Sequence, residues 1–245
     1  MKKKKILLLV ILIICISLIG GSAYYLSDSY PANQEEIASY IDNTNVTINK
    51  LDNGNYEFMP SNPTTGFIFY PGGKVDYEAY IPLMEQCAKQ GILCVLVKMP
   101  FNLAVFDINA ADDIQAQYPE VENWYIGGHS LGGSMAASYV SKHIEDYRGL
   151  ILLGSYSTSD ISSELDVLSI YGSEDHVLNL DKYNENKKHL PDDFKEIIIE
   201  GGCHSYFGVY GHQEGDGNPT ISNFEQIQIT TDEIISFIKE SQHGV

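Results

Sequence analysis

The stretch Gly127-Gly128-His129-Ser130-Leu131-Gly132-Gly133 decides how this chain is read. An apolar run, Trp124-Tyr125-Ile126, precedes it, and a helical pattern over Leu131 to Asp146 follows, so the order is strand, sharp turn, helix. The turn holds G-x-S-x-G as Gly128, Ser130 and Gly132. A serine on such a turn sits in a strained backbone and needs neighbours without side chains. The turn lifts its hydroxyl above the carboxyl edge of a sheet. It also sets the amide of Leu131 at a helix N-terminus, where a developing oxyanion is stabilised. The bland alternative is a glycine-rich turn that packs a helix closely on a sheet.

Outward from this turn the same alternation repeats. Gly66 to Tyr70, Ile92 to Lys98, Gly149 to Leu153, Val167 to Tyr171 and Glu196 to Ile199 read as further strands. Helical patterns lie over Tyr77 to Gln90, Ala110 to Gln117, Leu180 to His189 and Phe224 to Glu240. Buried strands alternating with helices predict an α/β fold, a mostly parallel central sheet with helices on both faces. Ahead of it, Val46 to Leu51 and Tyr56 to Met59 flank Asp52-Asn53-Gly54-Asn55 and predict a hairpin. A short helix is expected over Asn33 to Ile41.

A serine hydroxyl becomes a nucleophile when a base takes its proton and a carboxylate holds that base. The strand ending at Tyr171 runs into Gly172-Ser173-Glu174-Asp175, which makes Asp175 the candidate acid, with Glu174 as its rival. The strand ending at Ile199 runs into Gly201-Gly202-Cys203-His204, which makes His204 the candidate base, with His212 as its rival. His129 should face away from the nucleophile, with a supporting role at most, and His176 reads as a surface residue. A second oxyanion donor is expected in Tyr70-Pro71-Gly72-Gly73-Lys74, with Gly73 preferred to Lys74. No metal-ligand spacing and no dinucleotide fingerprint is present, so neither metal nor other cofactor is expected.

The termini and composition bound the remaining options. The chain has 245 residues, 44% hydrophobic, and a formal charge of −18. With a single arginine, Arg148, it lacks the basic surface that nucleic acid needs. Its one dense basic run, Lys2 to Lys5, precedes an uncharged stretch from Ile6 to Leu26. That length suffices for a bilayer core of ~30 Å. The lysines should remain cytoplasmic. Residues 1–26 are therefore expected to be a signal-anchor, 27–45 a connector, and 46–245 the catalytic domain, placed outside the cell membrane. Gly21-Ser22-Ala23 supports the competing reading of a cleaved signal peptide and a secreted protein. Cys87, Cys94 and Cys203 follow Cys15, without a CxxC pair, and read as buried thiols, with one bridge through Cys94 left open.

Phe69-Tyr-Pro-Gly-Gly73, Gly128-His-Ser-Leu-Gly132, Ile170-Tyr-Gly-Ser-Glu-Asp175 and Gly202-Cys-His204 together resemble the α/β-hydrolase superfamily, over about Thr65 to Lys239. His204-Ser-Tyr-Phe-Gly-Val-Tyr-Gly211, then Gln213 and Gly215-Asp-Gly217, is similar to a compact bacterial group, often membrane-anchored, without a lid domain. The resemblance implies the α/β-hydrolase fold and a Ser130–His204–Asp175 triad. Gly154 to Asp166, where many relatives insert a lid, is too short for a helical cap. An open, shallow pocket is expected, suited to small acyl groups, with Tyr70, Phe101, Tyr156, Tyr206, Phe207 and Tyr210 as candidate walls. The expected function is hydrolysis of small carboxylic esters through an acyl-enzyme. An acyltransferase with the same triad, and a non-catalytic binding protein on the same fold, are the alternatives.

Overall fold

The computed structural model describes residues 2–42 and 44–243, without the side chains at 2, 3, 5–10, 19, 22–24, 27 and 243. A first helix, α1 (Lys2–Ser27), is followed by α2 (Gln34–Tyr40), which Asn33 caps through its side chain on the amide of Glu36. The strands are β1 (Val46–Lys50), β2 (Tyr56–Pro60), β3 (Thr65–Tyr70), β4 (Ile92–Leu96), β5 (Asn123–His129), β6 (Gly149–Leu153), β7 (Asp166–Gly172) and β8 (Lys195–Ile199). Between and after them lie α3 (Ile81–Lys89), α4 (Leu131–Val140), α5 (Leu180–Asn186) and α6 (Asn223–His243).

The eight strands form one sheet in the order β1-β2-β4-β3-β5-β6-β7-β8. From β4 to β8 every pairing is parallel, while β2 pairs antiparallel with both β1 and β4. Gly54, at φ +87°, turns the chain between β1 and β2.

Successive residues of a strand point to opposite faces. Phe67 and Phe69 of β3 pack with Leu83, Met84 and Cys87 of α3 and Ile234 and Phe237 of α6. Ile68 and Tyr70 pack on the other face with Ala136, Ala137 and Val140 of α4. Side chains of this size each contribute about 1.5–3 kcal/mol when fully buried. Two filled faces therefore make the central strands the rigid base from which the loops at their carboxyl ends project.

Several boundaries differ from the sequence expectation for local reasons. Asp113 takes a left-handed φ of 61°, so residues 110–117 form turns with only a 3-10 segment, Gln115–Gln117, instead of a helix. The Tyr70 hydroxyl accepts the freed amide of Ala111 at 2.9 Å. The helix expected to reach Asp146 ends at Val140, and Ile144–Asp146 is a 3-10 turn. The helix expected from Tyr77 begins as the 3-10 turn Tyr77–Tyr80, capped by Asp76, before α3. At the sheet's edge, β8 is only half covered, and Ile198 is exposed.

The connector after α1 reaches across to the loop that follows β3. Tyr30 donates its amide to the Lys74 carbonyl at 2.7 Å and accepts the amide of Asp76 at 2.9 Å, a parallel bridge of Tyr30 with Val75. Among the described residues no helix is long and apolar enough to cross a membrane. Much of the Lys2–Lys5 flank and of the Ile6–Leu26 run expected to do so lies outside the described side chains. Cys15, Cys87, Cys94 and Cys203 are free thiols.

Candidate active site

Ser130 stands between β5 and α4 with φ 51° and ψ −122°, a conformation that a residue with a side chain rarely holds. The sheet and helix over-determine it. The Ser130 amide donates to the Leu153 carbonyl of β6 at 2.9 Å, and the Ser155 hydroxyl donates to the Ser130 carbonyl at 2.7 Å. A Cβ on Gly128 would sit 2.4 Å from the Tyr70 carbonyl oxygen, and one on Gly132 would sit 2.2 Å from that of Pro71. Only glycine fits at both positions, which is why the motif carries glycine there.

The candidate acid and base meet at the carboxyl ends of β7 and β8. Asp175 Oδ2 lies 2.8 Å from His204 Nδ1, and both residues are buried. Asp175 Oδ1 accepts the amides of Val177 and Leu178, at 3.0 and 2.7 Å. The carboxylate can only accept here, so His204 carries its proton on Nδ1 and leaves the Nε2 lone pair free. His204 Nε2 is buried without a hydrogen-bond partner. Of the rivals, Glu174 meets only the Ser173 hydroxyl at the exposed side, and His212 is exposed.

Two side chains that the sequence reading missed hold the His204 loop. Asp216 accepts the amides of His204 (3.1 Å), Ser205 (2.8 Å) and Gly217 (2.9 Å), and the Ser205 hydroxyl (2.8 Å). Burial pushes its carboxyl up, but these donors outweigh burial and hold it below the usual carboxylate range. Gln226 of α6 accepts the Cys203 amide at 2.9 Å and donates to the Cys203 carbonyl at 2.8 Å. A third missed position is Gly154, at φ +51° after β6. A Cβ there would lie 2.9 Å from His204 Nδ1 and 3.1 Å from Asp175 Oδ2.

In the loop after β3, Gly72 donates its amide to the Tyr80 hydroxyl at 3.1 Å, and Lys74 donates to the Asn102 carbonyl at 2.7 Å. Of these three successive amides only that of Gly73 has no acceptor among the described residues. Leu131 is the first residue of α4, so its N–H has no intrahelical acceptor either. The two residues adjoin, since a Cβ on Gly73 would be 2.9 Å from Leu131 Cδ2.

Ser130, Leu131, Gly154, Tyr156, Leu178 and His204 line one open cavity of about 270 Å³. Residues 154–165 contain no helix, so this segment forms no helical cap over it. Of the six aromatics expected as walls, only Tyr156 lines this cavity. Tyr70, Phe207 and Tyr210 are buried as core, and Phe101 is exposed on a neighbouring loop. His129, expected to face away from the nucleophile, is fully buried with its ring tilted by 47° against that of His204, centroids 4.4 Å apart. His176 is exposed, as a surface residue would be. A larger hollow, of about 420 Å³, opens at the opposite edge between Asp166, Lys195 and Glu240. It lies at the amino ends of β7 and β8, away from the edge where α/β sheets bind ligands.

Comparison with known proteins agrees with this architecture. A protein of Thermus thermophilus superposes with a TM-score of 0.59 at 12% identity, covering 81% of this chain and 98% of that one. A dienelactone hydrolase from Anabaena variabilis gives 0.57 at 13% identity, covering 78% and 98%. Est1E from Butyrivibrio proteoclasticus gives 0.57 at 15% identity, covering 81% and 99%. At such identities the likeness is one of fold. No curated protein matches the sequence. The sequence pattern of the alpha/beta hydrolase family matches residues 66–228, a span that includes the β5 turn, the acid strand and the histidine loop. The chain belongs to the alpha/beta hydrolase family.

Proposed function

We propose that this hydrolase uses Ser130 as nucleophile, His204 as base and Asp175 as the acid that orients it, and that its substrates are small carboxylic esters. One observation carries the proposal: His204 has Nδ1 bonded to Asp175 and an unpaired, buried Nε2 in the cavity that Ser130 lines. Ser130 Oγ attacks the acyl carbon and its proton passes to His204 Nε2. The imidazolium, opposite Asp175, then gives that proton to the leaving alcohol, whose bond to the acyl carbon breaks. Water, deprotonated by the same Nε2, cleaves the acyl-enzyme and restores Ser130. The amides of Leu131 and Gly73 are the donors for the oxyanion, and loss of one such donor costs about 3 kcal/mol in the transition state.

The preference for small esters is supported by the uncapped, shallow cavity and its modest volume. The name of the Anabaena fold neighbour, a dienelactone hydrolase, agrees with ester chemistry because a lactone is a cyclic ester. A fluorophosphonate probe on the full chain tests the mechanism. Labelling at Ser130, and a roughly millionfold loss of turnover in Ser130→Ala, are expected. An unlabelled, folded protein sinks the proposal.

The N-terminal segment is proposed as a single-pass anchor that leaves the catalytic domain outside the cell. The Lys2–Lys5 flank supports this, as do Ile11 to Ile14, Ile16 and Leu18, large apolar side chains that are exposed. Carbonate-resistant membrane retention, with residues after 30 open to external protease, is the expected result. Recovery of a shortened chain in the medium would point to a cleaved signal instead.

A further inference from the structure

The Tyr80 hydroxyl has two neighbours. It accepts the Gly72 amide at 3.1 Å and lies 2.8 Å from His129 Nδ1. Tyr80 is fully buried, and its phenol proton has no other acceptor among the described residues. A buried hydroxyl left without an acceptor is costly, so its O–H donates to His129 Nδ1. His129 therefore carries its single proton on Nε2, which is buried without a hydrogen-bond partner of normal geometry among the described residues and interacts with the His204 backbone. Space confirms how tightly this contact fills the loop: a Cβ on Gly72 would lie 2.6 Å from the Tyr80 hydroxyl and 2.7 Å from His129 Nδ1. The His129 ring lies between Tyr80, His204 and Phe207, at centroid distances of 5.8, 4.4 and 5.4 Å.

We propose that Tyr80 and His129 are a positioning pair, which fixes His129 as a neutral imidazole and uses it as a wedge to hold both the His204 ring and the loop bearing Gly73. The proposal rests on the reading of Ser130 and His204 as nucleophile and base. Neither member of the pair touches substrate; both act through groups that do. Tyr80 reaches the donor loop through the Gly72 amide, and His129 reaches the base through ring contact. Burial and the neighbouring His204 both push the pKa of His129 well below its ordinary value, which keeps the wedge uncharged next to a base that must itself become a cation. Burial raises the Tyr80 hydroxyl, so it remains a donor. The other titratable groups around the pair are Tyr210, and Asp175 beyond His204.

A double-mutant cycle with short esters on the full chain tests the pair. Tyr80→Phe and His129→Leu should each lower kcat about tenfold with KM within about twofold, because positioning of the base and donor loop is lost while the cavity is kept. The double variant should be no slower than the worse single one, and His129→Gln, which keeps an acceptor for Tyr80, should recover most of the rate. Losses that multiply, or a change in KM alone, overturn the proposal. Histidine 15N NMR on Ser130→Ala decides the matter independently of turnover and of any folding defect in the His129 variants. One fully buried imidazole should show a bare Nδ1 and a protonated Nε2, unchanged between about pH 5 and 8. A His129 signal that titrates in that range, or carries its proton on Nδ1, refutes the pair even if the enzyme is active. Absence of esterase activity with the expected tautomer intact refutes the hydrolase mechanism instead.

Discussion

The loop carrying His204 and the loop carrying Gly73 flank the same serine, yet they are held by different means. The His204 loop is clamped by side chains from elsewhere: the Asp216 carboxylate with three hydrogen bonds to His204 and Ser205, and the Gln226 amide bonded both ways to Cys203. The Gly73 loop is held mainly by neutral contacts, a phenol under Gly72 and backbone bonds to Asn102 and Tyr30, with one exposed ion pair between Lys74 and Asp28. A base must keep one orientation while its charge changes, and a charged clamp away from its ring provides that. An oxyanion donor needs an N–H left unused, so the loop is secured at the residues on either side of it.

Between the two loops, the largest expected effect comes from disturbing His204 at its contact with Asp175. Gly154→Ala adds a Cβ against both side chains at a left-handed φ, and turnover should fall about a hundredfold with little change in KM. A smaller effect is expected at the clamp. Asp216→Asn keeps the shape but weakens the hydrogen bonds, so kcat should drop about tenfold and urea unfolding should register a loss of about 1–2 kcal/mol, a value reduced for the half-exposed carboxylate. If Asp216→Asn moved stability without moving kcat, the clamp would be structural only.

The two regions should also separate by pH. His129 has a depressed folded pKa, so the unfolded chain binds the proton first. The stability it lends is complete above about pH 6.5 and declines as pH falls below that value. Asp216 is depressed as well, and its contribution declines only below about pH 4, as the carboxyl starts to bind protons. Thermal denaturation from pH 7 to 5 should therefore show a fall in Tm that His129→Gln flattens and Asp216→Asn leaves in place. The smallest effect concerns substrate: across p-nitrophenyl esters, kcat/KM should fall modestly as the acyl chain lengthens, since the cavity has no cap to bury a long one. An optimum at long chains would contradict this.

The division between what the sequence revealed and what it concealed follows the same line. The sheet and its helices were legible because apolar runs and helical periods are local signals. Ser130, Asp175 and His204 stood out because each sits just past a strand end, in a fixed chain order. Gly154, Gln226 and Tyr80 gave no such signal. Their contacts join residues from 8 to more than 20 positions apart, and nothing near each one in the chain sets it apart from an ordinary turn or helix residue. Asp216 was marked by the Gly215-Asp216-Gly217 pattern, but its target, the His204 loop, is fixed only by the fold. The segment 110–117 was misread because its helical composition gave way to the left-handed turn at Asp113.

The stitch of Tyr30 to Lys74 and Asp76 has a practical corollary. Anyone wishing to work with a fragment would cut away the apolar first helix, and where the cut falls matters. A start upstream of residue 28 keeps the strap that runs from the first helix to the loop after β3. Starting past Tyr30 frees the carbonyl of Lys74 and the amide of Asp76, just after Gly73, whose amide is the proposed oxyanion donor. Weak activity in such a trimmed protein would reflect a slackened strap rather than a poor enzyme.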